Sequence, residues 1–358
     1  MPAFGLALFY LQDWLFTIYE FIPDAIKKQM KIDGMLVGSG GKFLVSGNNV
    51  MDILRAPQYG LQDYLGMLDY QAMMRKPMML FLIPSVKEDF ELGEEELDER
   101  YGLMAIHLNN FAQAFSLGCW FIRDSCVAAT HIYGFNPING YISRNKRDME
   151  VTLSDGTVSE ISLTPDELQE AVSRMYEIYR YLLPEESGMG RVERTVSMGT
   201  KVWEIDKAIS TEANSFARAL MILQSARRTG VLASKIDQYC SILECLYAIK
   251  KDHRKNIANI TAALLGADAA EQEEIRSTLK VLYGIRSDSS HGDSLKYLKE
   301  NKREDLPMLA AKLDDYVRRV FRLVMKDPNL NYAPDSEKKV KVRAYFLDQA
   351  KALYPGEY

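Results

Sequence analysis

The chain has 358 residues, 47% hydrophobic and 26% charged, with a formal net charge of −5. That composition excludes global disorder and collagen- or mucin-like repeats, and the length leaves room for two ordinary domains. Four cysteines (Cys119, Cys126, Cys240, Cys245) and four histidines (His107, His131, His253, His291) are too few and too scattered for a disulfide framework, a zinc cluster or a His-rich metal centre. They fit a reducing, cytoplasmic setting, and no cofactor or metal is expected.

The net charge conceals a split. Residues 1–198 carry 17 Lys and Arg against 27 Asp and Glu, whereas residues 199–358 carry 27 against 22. A polyanionic ligand is therefore expected at the back half. At the front, residues 3–22 are rich in Phe, Leu and Tyr, but no basic residue precedes the run, and Asp13 and Glu20 interrupt it. Asp13, Thr17 and Glu20 share one helical stripe, so the apolar face reads as core or subunit interface rather than a signal or membrane anchor.

From about 35 to 86, short apolar runs bounded by Gly and Pro predict strands and loops. Val37–Lys42 (VGSGGK) superficially resembles a phosphate loop, but Phe43 stands where that loop needs Ser or Thr. A hairpin turn is the better reading. Residues 87–100 are strongly acidic and read as a solvated loop entering a helix. His107 and His131 lie inside the apolar text of 101–135 and read as core histidines. The alternation of 149–163 around Asp155-Gly156 predicts a two-stranded hairpin, and Thr164-Pro165 then opens a helix over 164–183 with Thr164 as its N-cap.

Gly188-Met189-Gly190 marks a boundary near 185–200, after which helix follows helix. Apolar positions recur at helical spacing in 202–226 (Ile205, Ile209, Phe216, Leu220, Leu223), 231–250 (Leu232, Ile236, Tyr239, Leu243, Leu246, Tyr247) and Ile257–Leu265. They continue through Ile275, Leu279 and Leu282, and most clearly in 306–325 (Leu306, Leu309, Leu313, Tyr316, Val317, Val320, Phe321, Val324). Five such helices with short connections predict a bundle. The run 338–343 (KKVKVR) reads as the solvated face of a final short helix.

One segment does not read as helix core: Tyr283-Gly284-Ile285-Arg286-Ser287-Asp288-Ser289-Ser290-His291-Gly292-Asp293. It gathers a guanidinium, an imidazole, two carboxylates and three hydroxyls between apolar helices. Arg286 and His291 are five apart, about 140° in direction on a straight helix, so both can face one ligand only at a helix end or bend. Arg presents a permanent planar cation suited to phosphate oxygens, and His moves protons near neutral pH. That pair suffices for RNA cleavage in which the neighbouring 2′-hydroxyl is the nucleophile. A surface Arg beside a helix-capping His would leave the same trace.

Arg286-Ser287 followed by His291-Gly292, preceded by Tyr283, with Leu243-Glu244-Cys245-Leu246 in an earlier helix and Ile257–Leu265 in the next, resembles the HEPN superfamily, in particular its Apea-like branch. The resemblance covers about residues 200–325. Cys119–Ser125 is also similar to front regions of bacterial proteins with this C-terminal domain. The resemblance implies a metal-independent ribonuclease whose Arg286 and His291 act from both members of a homodimer, with Ser287 in the polar position after the Arg. It also leaves open a non-catalytic dimerisation, nucleotide- or partner-binding module. Some relatives carry a modifiable Tyr two positions after the His; Asp293 stands there in this chain.

Around this motif, Lys250, Lys251, His253, Arg254 and Lys255 form a basic cluster whose Lys250, Lys251, Arg254 and Lys255 are candidate RNA phosphate contacts, although cations at a helix junction also serve as simple solvated ends. Glu244 falls within an apolar helix face, where a buried carboxylate needs a partner, for which Arg286 is the candidate, although simple partial exposure would read the same; Asp288 is a further supporting carboxylate. The expected fold is α+β but predominantly α: a mixed N-terminal region with a small β component (1–195), possibly sensory or partner-binding, a C-terminal helical bundle of HEPN type (196–326), and a tail with a short helix (327–358). The leading expectation is an RNA endonuclease acting as a bacterial toxin or antiviral effector. A nucleotide-handling enzyme using Gly40 and Gly41 is a third, weaker class.

Overall fold

The computed structural model of the protein describes residues 3–9, 14–17, 36–39, 61–68, 70, 78–83, 93, 95–96, 112–136, 141–146, 151–159, 161–182, 191–195, 201–205, 214–331 and 336–358. Over these residues the chain is predominantly helical. The Gly-rich turn at 40–42, the 87–92 part of the acidic loop and His107 lie outside the described residues.

The backbone of the front half carries strands β1 (Ala3–Phe9), β2 (Trp14–Thr17), β3 (Leu36–Ser39), β4 (Met78–Ile83), β5 (Ala129–Asn136) and β6 (Tyr141–Lys146). They are hydrogen-bonded in the order β3-β2-β4-β1-β5-β6, antiparallel except for β2 with β4. The helical stripe expected across 3–22 is thus replaced by β1 and β2 where that stretch is described. A separate pair joins β7 (Arg191–Thr195) to β8 (Lys201–Ile205).

Among the described residues, the helices longer than two turns are α1 (112–122), α2 (Pro165–Leu182), α3 (Ser215–Arg227), α4 (Leu232–Tyr247), α5 (His253–Leu265), α6 (Ala269–Ser290), α7 (Asp305–Lys326) and α8 (Ser336–Leu353). Their starts follow local chemistry. Thr164 and Glu167 form a reciprocal capping box on α2: Glu167 N–H donates to Thr164 Oγ1 at 3.2 Å and Thr164 N–H donates to Glu167 Oε2 at 2.8 Å. Asn214 caps α3 by accepting from Ala217 N–H at 2.8 Å, and Asp268 caps α6 by accepting from Ala270 and Glu271. The helix read from 202 therefore begins only at Ser215; Ile205 belongs to β8.

All eight apolar positions read in α7 are buried. They meet Ile236, Tyr239, Leu243 and Leu246 of α4, Ile257 and Ile260 of α5, and Ile275, Leu279 and Leu282 of α6 in one continuous core. Leu117, Trp120 and Phe121 of α1, Ile178 of α2, and Val342, Phe346 and Ala350 of α8 join the same core. It draws on chain from both sides of residue 195, and α8, at 18 residues, is longer than the short helix expected there.

Aromatic rings fasten α1 and α3 to α7: Phe121 of α1 and Phe216 of α3 each meet Phe321 edge-on at 5.7 and 5.6 Å, and Trp120 of α1 does so at 6.1 Å. Trp120 Nε1 and Tyr239 Oη donate to the buried Asp314 Oδ1 at 2.7 and 2.8 Å, and Arg318 pairs with its other oxygen. Burial pulls the Arg318 guanidinium down to about 10, so it stays charged at neutral pH. Gly118 lets α1 lie against α2, because a Cβ there would run into the carbonyl of Ala171.

Among the described residues, the hairpin read around Asp155-Gly156 forms its turn but no ladder. Gly156, at φ +83°, donates to Leu153 O at 3.0 Å, and Leu153 N–H donates to Thr157 O at 2.8 Å. The arm then pairs elsewhere: Thr152 N–H donates to Arg227 O at the end of α3 at 2.7 Å. The buried Lys235 ammonium donates to Thr152 Oγ1 at 2.9 Å and Leu153 O at 2.8 Å. The helix end and Lys235 claim the backbone groups that a partner strand would have used.

Candidate functional site

The motif forms the end of α6. The helix runs unbroken through Arg286 to Ser290; His291 is its C-cap, and Gly292 follows at φ +72°, in the left-handed region where glycine commonly closes helices. His291 N–H donates to Ser287 O and Gly292 N–H to Ser289 O, both at 3.1 Å. The helix end that the five-residue spacing requires is therefore present. Arg286, Ser287 and His291 line one open groove together with Arg254, Lys280, Lys296 and Tyr297.

Arg286 is held from across the groove wall by α4, which runs antiparallel to α6. Its Nε donates to Asp237 Oδ1 at 3.0 Å, and its two terminal nitrogens face the Glu244 carboxylate at 2.8 and 3.2 Å. Tyr283 Oη donates to Glu244 Oε1 at 3.2 Å and approaches Cys240 O at 3.4 Å, while Ser290 Oγ donates to Asp237 Oδ1 at 3.2 Å. Asp237, Cys240 and Glu244 share a stripe of α4, spaced i, i+3, i+7. Tyr283, Arg286 and Ser290 share the matching stripe of α6.

Glu244 is thus the partner of Arg286, as its apolar setting suggested. Asp237 was missed, although its i, i+7 spacing from Glu244 was the signal; Tyr283, read as part of the motif, and His253, read as part of the basic cluster, also converge on Glu244. His253 Nδ1 lies 2.9 Å from Glu244 Oε1, brought there by a tight α4–α5 turn with Ala248 and Asp252 at φ 54° and 50°. Burial lowers the Arg286 pKa, but Glu244 and Asp237, helped by other neighbours, outweigh it and leave the guanidinium above its ordinary value. Burial foremost, with Glu244 adding to it, keeps the Tyr283 phenol protonated.

The other expected residues divide. Asp288 also lines the groove and clasps the following loop: Lys296 N–H donates to Oδ2 at 2.7 Å and the Lys296 ammonium reaches Oδ1 at 3.1 Å. Its carboxyl lies below the usual range, chiefly through that backbone hydrogen bond. Its role is to shape the loop after His291. Ser287 is exposed on the groove. Lys250, Lys251 and Arg254 are exposed, and Arg254 lies on the rim shared with Lys280. Lys255 is taken up by residues 357–358: its ammonium donates to Glu357 O and lies 4.7 Å from the Tyr358 ring.

Chemically, the groove offers an exposed imidazole at a helix end and a guanidinium fixed in direction by two carboxylates. Five N–H donors on a guanidinium exceed the three nitrogens so faced, so donors remain for an anion. Among the described residues no three His, Cys, Asp or Glu side chains converge as a metal-binding group, and no helix is long and apolar enough to cross a membrane. Set against protein-family models, curated proteins and solved structures, the chain matches none of them.

Proposed function

We propose that this protein is a metal-independent RNA endonuclease of HEPN type, with a helical bundle bearing the chemistry and a front region with a small β component that senses or restrains it. The observation that supports it most is the convergence of Arg286 and His291 on one groove rimmed by Arg254, Lys280 and Lys296. In this reading the RNA supplies its own 2′-hydroxyl as nucleophile. His291 moves the proton, and Arg286 stabilises the charge that builds on the pentacoordinate phosphate through charge-assisted hydrogen bonds. One Arg–His pair supplies one cation and one acid/base, so two chains would act together in a two-fold dimer with their motifs adjacent. A toxin or antiviral effector working in the cytoplasm is the setting that suits such an activity.

The test is cleavage of RNA by the purified protein in the presence of chelator, leaving a 2′,3′-cyclic phosphate and a 5′-hydroxyl. Arg286→Ala and His291→Ala should each lower the rate about a hundredfold or more. Chelator inhibition reversed by metal, cleavage at a 2′-deoxy position, or an active His291→Ala protein would refute the mechanism. A strict monomer with full activity would refute the dimer.

A second reading has an observation of its own. Asp237 and Glu244 together overbalance the single charge of Arg286, which suits a guanidinium that builds structure and a groove that binds RNA or a partner without cleaving it. RNA binding with no cleavage by the wild-type protein would decide for that module.

A further inference from the structure

Ten residues before Arg286 on the same helix, or about 15 Å along its axis, Arg276 belongs to a second polar cluster. Here residues 354–358 fold back over α5 and α6, with Pro355–Glu357 in a 3-10 turn. The Glu357 carboxylate is held at both oxygens: Asn259 Nδ2 donates to Oε2 at 2.9 Å, and the Arg276 guanidinium donates to Oε1. Asn259 is fully buried, and its Oδ1 accepts from Arg276 Nε at 2.8 Å. One amide therefore both aims the guanidinium and donates to the anion. The Tyr354 ring lies 4.6 Å from the same guanidinium, and Lys255 donates to the Glu357 carbonyl.

This is a built anion site rather than a chance surface pair. Its donors are oriented by a buried side chain, and the guanidinium fork fits two phosphate oxygens as well as it fits two carboxylate oxygens. The hydrogen bond from Asn259, with Arg276 and Lys280 nearby, holds the Glu357 carboxyl below its usual range despite some burial. The site also continues into the motif groove. Lys255, Arg254 and Lys280 line one cleft, and Arg254 and Lys280 reappear on the wall that carries Arg286 and His291.

We infer that Arg276, Asn259 and Lys255 form a subsite for a backbone phosphate of the RNA strand leaving the motif groove, and that Glu357 occupies it as an internal competitor. The inference rests on the RNA reading above. The Glu357 oxygens stand where two non-bridging phosphate oxygens would lie, and a strand entering the site displaces residues 354–358. Competition of this kind lowers apparent affinity by the fraction of molecules in which the site is open.

The experiment uses the full chain and a short single-stranded 2′-O-methyl RNA, which cannot supply the nucleophile, with binding read by fluorescence anisotropy. Glu357→Gln should tighten binding about two- to fivefold, the range expected for losing one partly exposed charged contact. In an Arg276→Ala background the same change should give no gain, because the subsite is gone. Circular dichroism checks both proteins, and Arg276→Gln replaces Arg276→Ala if the latter does not fold. Salt-sensitive binding that Glu357→Gln leaves unchanged, or a gain that persists without Arg276, overturns this inference alone. No binding to either protein overturns it together with the RNA reading.

Discussion

Removing Glu244 gives the sharpest measure of how Arg286 is held. The two side chains are 15% and 27% exposed, with nitrogen–oxygen separations of 2.8 and 3.2 Å. Opposite unit charges about 4 Å apart attract by roughly 4 kcal/mol at an effective dielectric near 20. Desolvation and side-chain ordering return more than half of that, leaving a pairwise coupling of about 1.5 kcal/mol. Glu244→Leu should cost more than the coupling, about 3 kcal/mol, because Tyr283 is left with only the Cys240 carbonyl at 3.4 Å and the guanidinium keeps Asp237 as its sole carboxylate. Urea unfolding of wild type, Glu244→Leu, Arg286→Met and the double variant closes the cycle. A coupling below about 0.5 kcal/mol would refute the clamp. Because the pair is partly buried, the coupling should change little with added salt.

Three further outcomes are expected. Asp314→Ala strands Trp120 Nε1, Tyr239 Oη and the Arg318 charge in the core, and should destabilise by about 4 kcal/mol in the same urea assay; a loss under 1 kcal/mol would refute that network. Ala248→Gly relieves a left-handed residue at φ 54° and should raise stability by about 1 kcal/mol, visible as a higher thermal midpoint; a lower midpoint would show that its methyl group matters more than its backbone. Burial, assisted by Arg227, pushes Lys235 down from 10.5 to about 8. The unfolded chain then binds more protons between those values, so stability should rise with pH from about 8 to 10.5. Lys235→Met should lose that rise, and equal slopes in the two proteins would count against it.

Periodicity made α4, α6 and α7 legible because each buries one stripe, so Ile236, Leu279 and Phe321 announce themselves at spacings of three and four. The match of Glu244 to Arg286 was also readable, since a carboxylate on an apolar face demands a cation. Other features had weak local signals. The α4–α5 turn relies on Ala248 and Asp252 at positive φ, where a glycine would have marked it. In α8 the buried Val342, Phe346 and Ala350 occupy single positions amid charged text. The arm at 151–153 looks like a strand in isolation and is diverted by Lys235 and Arg227, residues far away in sequence. Asp237 was legible in hindsight, one heptad before Glu244, but an exposed-looking Asp gives no sign of its partner until α6 is laid beside it.

The packing of α1 against Phe321 bears on how this chain can evolve. Trp120 and Phe121 are fully buried in a core that, apart from Leu117 of α1 and Ile178 of α2, is made by helices beyond residue 214, and burying each contributes about 2–3 kcal/mol. A gene fusion that kept only residues 196–358 and attached a new leading segment would inherit an empty aromatic slot and an Asp314 lacking its indole donor. Recombination at the compositional seam is therefore penalised. Any replacement front region must bring its own aromatic pair and a donor for Asp314, so exchange is expected at a breakpoint before residue 112 rather than at the glycines near 188.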